Sequence, residues 1–248
     1  MSLARAAPLP QRRFAVVCFG LAARRAGRQP WLSAAGLASG LAGLGHAVLL
    51  VTDSDDPPPQ RDYAIARVQH LFERGRLTNE VRDELARWGA ERSYLLLGAA
   101  RLARLSRLQA PCAISLVLAS PRLRRAELLR LPVAALVGEW RLLALPVLDA
   151  LLPGPALRRG FARSGADEIV YLSEAAQSRY AMAGLPLGRQ LRPQVRPIAT
   201  ALPRPRRDRA TIADLGPPQA ARGAVLAVEA FGRAVARGLQ ARLVLLLR

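Results

Sequence analysis

Residues 14–52 read FAVVCFGLAARRAGRQPWLSAAGLASGLAGLGHAVLLVT. The two ends of this stretch, 14–18 and 47–52, are short continuous apolar runs, a pattern typical of strands buried on both faces of a parallel sheet. Pro30-Trp31 is predicted to open a helix, because the missing N–H of proline costs nothing at the first helical position. Gly45 is predicted to end the helix by adopting the left-handed conformation. The stretch therefore predicts a βαβ unit.

The loop between the first strand and the helix is the first candidate site. It follows the carboxyl end of a predicted strand and precedes a helix N-terminus, where open α/β sheets bind ligands and anions are favoured. Its glycines would let a ligand approach the backbone, or serve only as tight turns, and its arginines suit a phosphate or an acidic acceptor. The candidate residues here are Gly20, Arg24, Arg25, Gly27, Gln29 and Trp31, and Gly20 is also a candidate contact of a donor phosphate.

The composition is that of a globular and strongly basic chain. Of the 248 residues, 51% are hydrophobic, and the formal net charge is +19. This charge favours nucleic acid or an anionic membrane surface as a partner. All 37 basic residues are arginine, as a GC-biased genome would produce, and aromatic residues that could stack on single strands make up only 5%. No nucleic-acid-binding motif is present, so we expect no nucleic-acid partner and keep an anionic membrane surface as a candidate.

Residue types that bind metals are few in this sequence. Cys18 and Cys112 lie in apolar runs without metal-ligand spacing, which predicts buried free thiols in a reducing cytoplasm. Three carboxylates at 53–56 could hold a metal or carry out acid–base chemistry, but the prolines at 57–59 favour an exposed turn. We therefore expect no metal and no cofactor.

One segment is long and apolar enough to raise the question of a membrane span. Residues 31–51 contain no Asp, Glu, Lys or Arg, and a bilayer takes about 20 residues to cross. The helical pattern stops at Gly45-His46, however, and a β-branched run follows, so the βαβ interpretation is preferred. The predicted location is the cytoplasm, with peripheral binding at the inner face of the membrane as a candidate.

The rest of the chain continues the alternation of strands and helices. Further strands are predicted at 63–68, 93–97, 111–118 and 168–172, and helices at 78–88, 99–108, 156–164 and 174–183. In the helix at 99–108, Arg101, Arg104 and Arg107 share a face, which predicts a solvated face or, alternatively, contact with phospholipid or phosphate. Glu139 and Arg141 interrupt an apolar helical stretch and are candidate cleft residues, or a satisfied pair.

These elements predict an α/β fold: a Rossmann-like parallel sheet with helices on both faces, followed by an incomplete second Rossmann-like unit. The predicted organisation is a disordered leader at 1–12, a first domain at 13–191, a linker rich in Pro and Arg at 192–209, and an opening βαβ at 210–248. A lone βαβ cannot cover an apolar final strand. This predicts a truncated chain or one that docks against something else.

Motifs spread along the chain resemble those of the GT-B-fold glycosyltransferases, specifically the family 4 type. Gly45-His46-Ala47-Val48 resembles the "GHxV" second strand, and residues 166–186 resemble the family's "ADxIV…SE…GIP" segment. Residues 195–198 resemble the strand that leads into the linker, and residues 216–243 resemble the "G…KG…AIEAF…L" opening of the donor domain. Each motif is weak alone, but their order and spacing are moderately specific and span nearly all of the chain after Arg12.

The resemblance implies transfer of a sugar from a nucleotide-sugar to an acceptor, without a metal, and a lipid or polysaccharide intermediate as the candidate acceptor. The acceptor would bind mainly to the first domain and the donor mainly to the second, where Gly216 and Arg222 match residues near the donor diphosphate. Catalysis would rest on positioning and on stabilising the leaving diphosphate. No catalytic residue is assigned.

Three departures from the family pattern limit this hypothesis. Ala119-Ser120 stands where the family often has a histidine, residues 199–201 replace the usual Asn-Gly, and the two-glutamate motif would lie beyond Arg248. We therefore expect this chain to be inactive by itself and to need the missing part of its C-terminal domain. The alternative is a non-catalytic Rossmann-like module that binds a nucleotide or a partner chain.

Overall fold

The structure is a computed structural model that describes residues 10–23, 30–58, 62–118, 122, 147–191, 210–214 and 224–245. The described residues separate into two compact units. The first holds those up to 122 and those from 151 to 191, and the second holds 147–150 and everything from 210 onwards. Residues 147–150 thus belong to the second unit, although they lie within the range predicted for the first domain.

A seven-stranded parallel sheet forms the centre of the first unit. The strands of this unit are β1 (Arg13–Cys18), β2 (Ala47–Thr52), β3 (Ala64–Arg67), β4 (Phe72–Glu73), β5 (Arg76–Leu77), β6 (Arg92–Leu97), β7 (Ala113–Leu118), β8 (Glu168–Tyr171) and β9 (Arg189–Gln190). The sheet order is β3-β2-β1-β6-β7-β8-β9, whereas β4 and β5 form a separate antiparallel hairpin. Every pair in the large sheet is parallel, which confirms the predicted Rossmann-like α/β fold.

Helices cover both faces of this sheet. They are α1 (Trp31–Gly43), α2 (Asn79–Trp88), α3 (Ala99–Ala103), α4 (Gly154–Ser164) and α5 (Glu174–Met182). Side chains of α1 pack with Val16 and Cys18 on one face of β1. Side chains of α2 to α5 join the cluster that contains Ala15 and Val17 on the other face. This alternation explains why β1 is apolar throughout, since a strand between two helical layers has no solvent-facing side.

Most helix ends follow the signals in the sequence. The hydroxyl of Thr78 accepts a hydrogen bond from Val81 N at the start of α2, and the hydroxyl of Ser173 accepts one from Ala176 N at the start of α5. Gly45 has a φ of 88°, in the left-handed region expected after α1. Pro30 is the N-cap of α1 and not its first residue, a shift of one position from the prediction.

The helix predicted at 99–108 is wrong in its second half, because α3 ends at Ala103. Tertiary hydrogen bonds replace helical ones: Ser106 N donates to Gly75 O at 2.9 Å, and Leu108 N donates to Ser164 O at 3.0 Å. Leu105 and Leu108 remain fully buried in this non-helical segment. The leucine spacing therefore predicted correctly which side chains are buried, but it did not predict the conformation of the backbone.

Two smaller features differ from the prediction, and one agrees with it. The β4–β5 hairpin and β9, whose strands have only two residues each, were not predicted. α4 begins at Gly154, two residues before the predicted start at 156. The apolar stretch 31–51 is α1 followed by β2, and no helix within the described residues is long and apolar enough to cross a membrane.

A polar network ties β6, β7 and β8 together near their amino ends. Nη1 of Arg92 donates to Oγ of Ser115 at 2.9 Å and to Oε1 of Glu168 at 2.6 Å, and the Ser115 hydroxyl donates to the same oxygen at 2.7 Å. Ser115 is fully buried. Because a buried hydroxyl without a partner would be costly, this network favours one register of the three strands.

The second unit contains a βαβ arrangement, as predicted. It consists of β10 (Ala210–Asp214), α6 (Ala224–Ala236) and β11 (Ala241–Leu245). The two strands pair in parallel, with Ala210 opposite Ala241 and Asp214 opposite Leu245. The predicted linker at 192–209 lies outside the described residues.

The contact between α3 and α4 predicts a glycine-specific cost. A Cβ on Gly160 would overlap the carbonyl oxygen of Leu102, whereas a Cβ on Gly36, in α1, would meet nothing within 4 Å. Gly160→Ala should therefore lower the free energy of unfolding by about 1–3 kcal/mol, because the helices must separate. The control Gly36→Ala should raise it by about 0.5–1 kcal/mol through helix propensity. Urea denaturation of both variants tests this, and equal effects would contradict it.

The buried thiol of β1 predicts a loss of stability at alkaline pH. Burial, reinforced by the carboxylate of Asp53, raises the pKa of Cys18 from 9.0 to about 12. In the unfolded chain the thiol ionises near its ordinary value, so its stabilising contribution is complete below pH 9 and is lost progressively towards pH 12. The free energy of unfolding should fall by about 1 kcal/mol per pH unit more steeply than in Cys18→Ala. Identical slopes in urea titrations of the two proteins would contradict this.

Candidate functional site

The loop after β1 is fixed to the end of β2 by side-chain hydrogen bonds. Gly20 has a φ of 60°, a conformation that glycine adopts readily, and its N–H donates to Oδ1 of Asp53 at 2.6 Å. The next N–H, that of Leu21, donates to Oγ1 of Thr52 at 3.3 Å. Thr52 and Leu21 are fully buried. The loop therefore has a defined conformation at its start, at the carboxyl edge of the sheet.

The acidic segment after β2 supplies further contacts to this loop. The carbonyl oxygen of Asp56 accepts a hydrogen bond from Ala23 N at 2.7 Å. Asp55 is exposed and pairs with Arg67 at 3.0 Å. The carboxylates of Asp53 and Asp55 thus have separate structural contacts, and Asp56 contributes its backbone carbonyl. Within the described ranges, no group of His, Cys, Asp and Glu side chains is arranged to hold a metal ion.

Trp31 closes the other end of the same loop. Its indole Nε1 donates to the carbonyl oxygen of Phe19 at 2.8 Å. The first residue of α1 is therefore bonded to the first residue after β1, and residues 20–30 lie between these two points. This contact gives Trp31 a role in positioning the loop, beside its predicted role at the acceptor side.

Arg101 is a cationic side chain that the fold brings to this edge. It lies in α3, directly after β6, and β6 is the neighbour of β1 in the sheet. Its guanidinium carbon lies 4.3 Å from the centre of the Phe19 ring and 5.1 Å from the centre of the Phe72 ring. The expectation of a wholly solvated arginine row is wrong at this position, because Arg101 is partly buried while Arg104 and Arg107 are exposed.

Burial and charge act in opposite directions on Arg101. Burial lowers the pKa of the guanidinium from its ordinary value, and the nearby carboxylate of Asp53 raises it. The guanidinium of an arginine stays protonated under such conditions, so the site holds a positive charge that is partly removed from water. Interactions of such a charge with an anion are stronger than those of a fully solvated one.

The stacking arrangement leaves the guanidinium suited to binding an anion. Its N–H groups lie in the plane of the group, so contacts between its face and an aromatic ring do not use them. Phe19 is 45% exposed, which places this pair at the protein surface and not in the core. The residues can therefore bind and orient a phosphate or carboxylate, with Phe19 and Phe72 offering apolar surface beside it.

The predicted site residues fall into two groups. Gly20 and Trp31 are described and lie at the two ends of the same loop, connected through Phe19. The structure gives the N–H of Gly20 a protein acceptor, Asp53, and its contact with a donor phosphate stays a prediction. The other candidates lie outside the described residues: Arg24, Arg25, Gly27, Gln29, Glu139, Arg141, Gly216 and Arg222.

Sequence reasoning did not assign Asp53, Phe72 and Arg101 to this site. A positional signal existed for two of them, because Asp53 and Arg101 each follow closely after an apolar strand run. Carboxyl ends of parallel strands converge at one edge of a sheet. Phe72 offered no such signal, since the hairpin that carries it depends on tertiary contacts.

No model of a protein family matches the chain, and no curated protein matches it significantly.

Proposed function

We propose that this chain is the acceptor-binding part of a GT-B-type glycosyltransferase, with Arg101 contacting an anionic group of the acceptor. The observation that supports it most is the Arg101 guanidinium held against Phe19 and Phe72 at the carboxyl edge of the sheet. The sugar would come from a nucleotide-sugar, in keeping with the motifs that resemble the family 4 enzymes. A lipid or polysaccharide intermediate that carries a phosphate would fit such a cation.

The strand order supports this location for the ligand. In the order β3-β2-β1-β6-β7, the chain moves from β1 to one side of the sheet and later from β6 to the other side. Loops at such a point run in opposite directions, so that a crevice forms between them. Open α/β sheets bind ligands in this crevice. Phe19 follows β1 and Arg101 follows β6, so the two flank this position.

The donor side of the proposal rests on the second unit. Its βαβ arrangement agrees with the start of a nucleotide-binding fold. Gly216 and Arg222, which precede α6, are the proposed contacts of the donor phosphates, and Glu139 and Arg141 are the proposed cleft residues. This chain's own residues would act by binding and orienting the two substrates and by stabilising the leaving diphosphate.

The second candidate function is a non-catalytic module that binds a nucleotide or a partner chain. One observation favours it: Asp53 already accepts the hydrogen bond of the Gly20 N–H at 2.6 Å. In a nucleotide site, that N–H would be available to a phosphate, and a carboxylate at this place repels one. The two functions differ in whether labelled sugar is transferred.

Replacement of the stacked cation tests the proposed function. Measured together with the rest of the C-terminal domain that the family resemblance implies, Arg101→Gln should reduce transfer of sugar from a panel of labelled nucleotide-sugars to phosphorylated lipid extract about 10- to 100-fold, as expected for loss of a charge-assisted hydrogen bond. The control is Arg87→Gln, whose side chain pairs with Glu84 on the exposed part of α2. Undiminished transfer by Arg101→Gln would contradict the role of Arg101, and binding of a nucleotide without any transfer would favour the second function.

Neutralisation of Asp53 should have the opposite effect on anions. In Asp53→Asn, the side-chain oxygen can still accept the hydrogen bond from Gly20 N, but the negative charge near Arg101 is gone. We expect inorganic pyrophosphate to bind several-fold more tightly, since like-charge repulsion at this range is of order 1 kcal/mol. Calorimetry of the wild type, Asp53→Asn and Arg101→Gln measures the series. An affinity that does not rise in Asp53→Asn would contradict the electrostatic reasoning.

A further inference from the structure

Three segments of the first unit meet beside the candidate site. Gly75, at the tip of the β4–β5 hairpin, lies so close to the carbonyl oxygen of Arg104 that a Cβ there would overlap it, and Gly75 O accepts a hydrogen bond from Ser106 N. On the other side, Nη2 of Arg163 donates to Ala103 O at 3.3 Å, and Leu108 N donates to Ser164 O. The hairpin, the segment at 103–108 and α4 therefore form one continuous surface.

The three segments that form this surface carry many exposed arginines. Six of its seven exposed arginines, here called the arginine surface, are Arg74, Arg76, Arg104, Arg107, Arg159 and Arg163; the seventh, Arg158, lies near Gly184. The segments that carry them, residues 72–76, 103–108 and 154–164, contain one carboxylate, that of Glu73. The charge here is therefore much less balanced than at the exposed pairs Arg67–Asp55 and Arg87–Glu84, where each arginine has its own carboxylate.

We propose that the arginine surface docks the protein on a membrane surface rich in anionic phospholipid. Its charges come from three different elements and are spread over a broad face, which suits many separate headgroups better than one bound ligand. Each arginine near an anionic bilayer contributes attraction that is additive to a first approximation and screened by salt. The aromatic residues of the three segments, Phe72 and Phe161, are partly buried, so the surface offers no stacking platform for a single-stranded nucleic acid.

The arginine surface is continuous with the candidate site. Phe72 begins the hairpin, and its ring lies against Arg101, while Arg74 lies at the tip of the same hairpin and Arg76 begins β5. Docking through the tip would bring the carboxyl edge of the sheet close to the lipid headgroups. A phosphorylated acceptor embedded in the membrane could then reach Arg101. This access of the acceptor rests on the proposed function, whereas the docking on the membrane does not.

Co-sedimentation of the full chain with lipid vesicles tests the proposal. The wild type should bind vesicles of equal parts phosphatidylglycerol and phosphatidylcholine, release them as salt is raised, and not bind phosphatidylcholine alone. The triple variant Arg76→Gln, Arg104→Gln, Arg107→Gln should bind roughly 100-fold more weakly, about fivefold for each charge removed. All three side chains are exposed, so their single substitutions should keep the fold and each give about a fivefold loss.

A matched variant separates the arginine surface from overall charge. Arg12→Gln, Arg67→Gln, Arg237→Gln removes the same number of exposed arginines from other parts of the chain and should leave vesicle binding nearly unchanged. Equal losses in the two triple variants, or equal binding to both kinds of vesicle, would overturn the proposal. So would a surface variant that keeps vesicle binding but loses binding to duplex DNA, which would identify a nucleic acid as the partner. Arg101→Gln should still bind vesicles even if it abolishes transfer, so failure of docking and failure of the proposed function are distinguishable.

Discussion

Burial of β1 on both faces is the constraint on which the first unit depends. Ala15, Val16 and Val17 are between 0 and 1% exposed, and β1 pairs with β2 on one side and β6 on the other. With its backbone hydrogen bonds used in both directions and its side chains divided between two helical layers, β1 can occupy only a central position. Each Val or Leu side chain buried in this way contributes roughly 1.5–3 kcal/mol. Displacement of β1 would therefore remove both clusters of the core together.

The central position of β1 also determines where a ligand site can lie. The neighbours of β1, strands β2 and β6, lie on its two opposite sides and run parallel to it. The loops that follow β1, β2 and β6 therefore meet at one edge of the sheet. At this edge, polar side chains fix the two ends of the loop that follows β1. Asp53 and Thr52 accept hydrogen bonds from its start, and Trp31, at its end, donates one to the carbonyl oxygen of Phe19. Arg101 adds a cation that contacts the rings of Phe19 and Phe72. The site and the sheet order are thus consequences of the same topology.

The opposite edge of the sheet shows how polar contacts complement hydrophobic burial. Apolar strands in a parallel sheet pack favourably in more than one register, since their side chains are similar. The hydrogen bonds among Arg92, Ser115 and Glu168 remove this ambiguity, because a shifted register would leave a buried hydroxyl or a partly buried charge without its partner. This network lies towards the amino ends of β6, β7 and β8, and the loop contacts lie at the carboxyl ends of β1 and β2.

Local signals in the sequence were sufficient for the strands, most helices and their caps. Six apolar runs predicted six strands of the large sheet, and Thr78, Ser173 and Gly45 marked helix ends, because these features depend on side chains within a few residues of one another. Tertiary structure alone decided the features that depend on residues far apart in the chain. It ended α3 at Ala103, formed the two-residue strands of the hairpin and of β9, and placed Arg101 against Phe19 and Phe72. The physical reason is that hydrogen bonds and ring contacts across 30 to 80 residues of chain form only once the sheet has ordered its strands, as for Gly20 with Asp53 and Arg101 with Phe19.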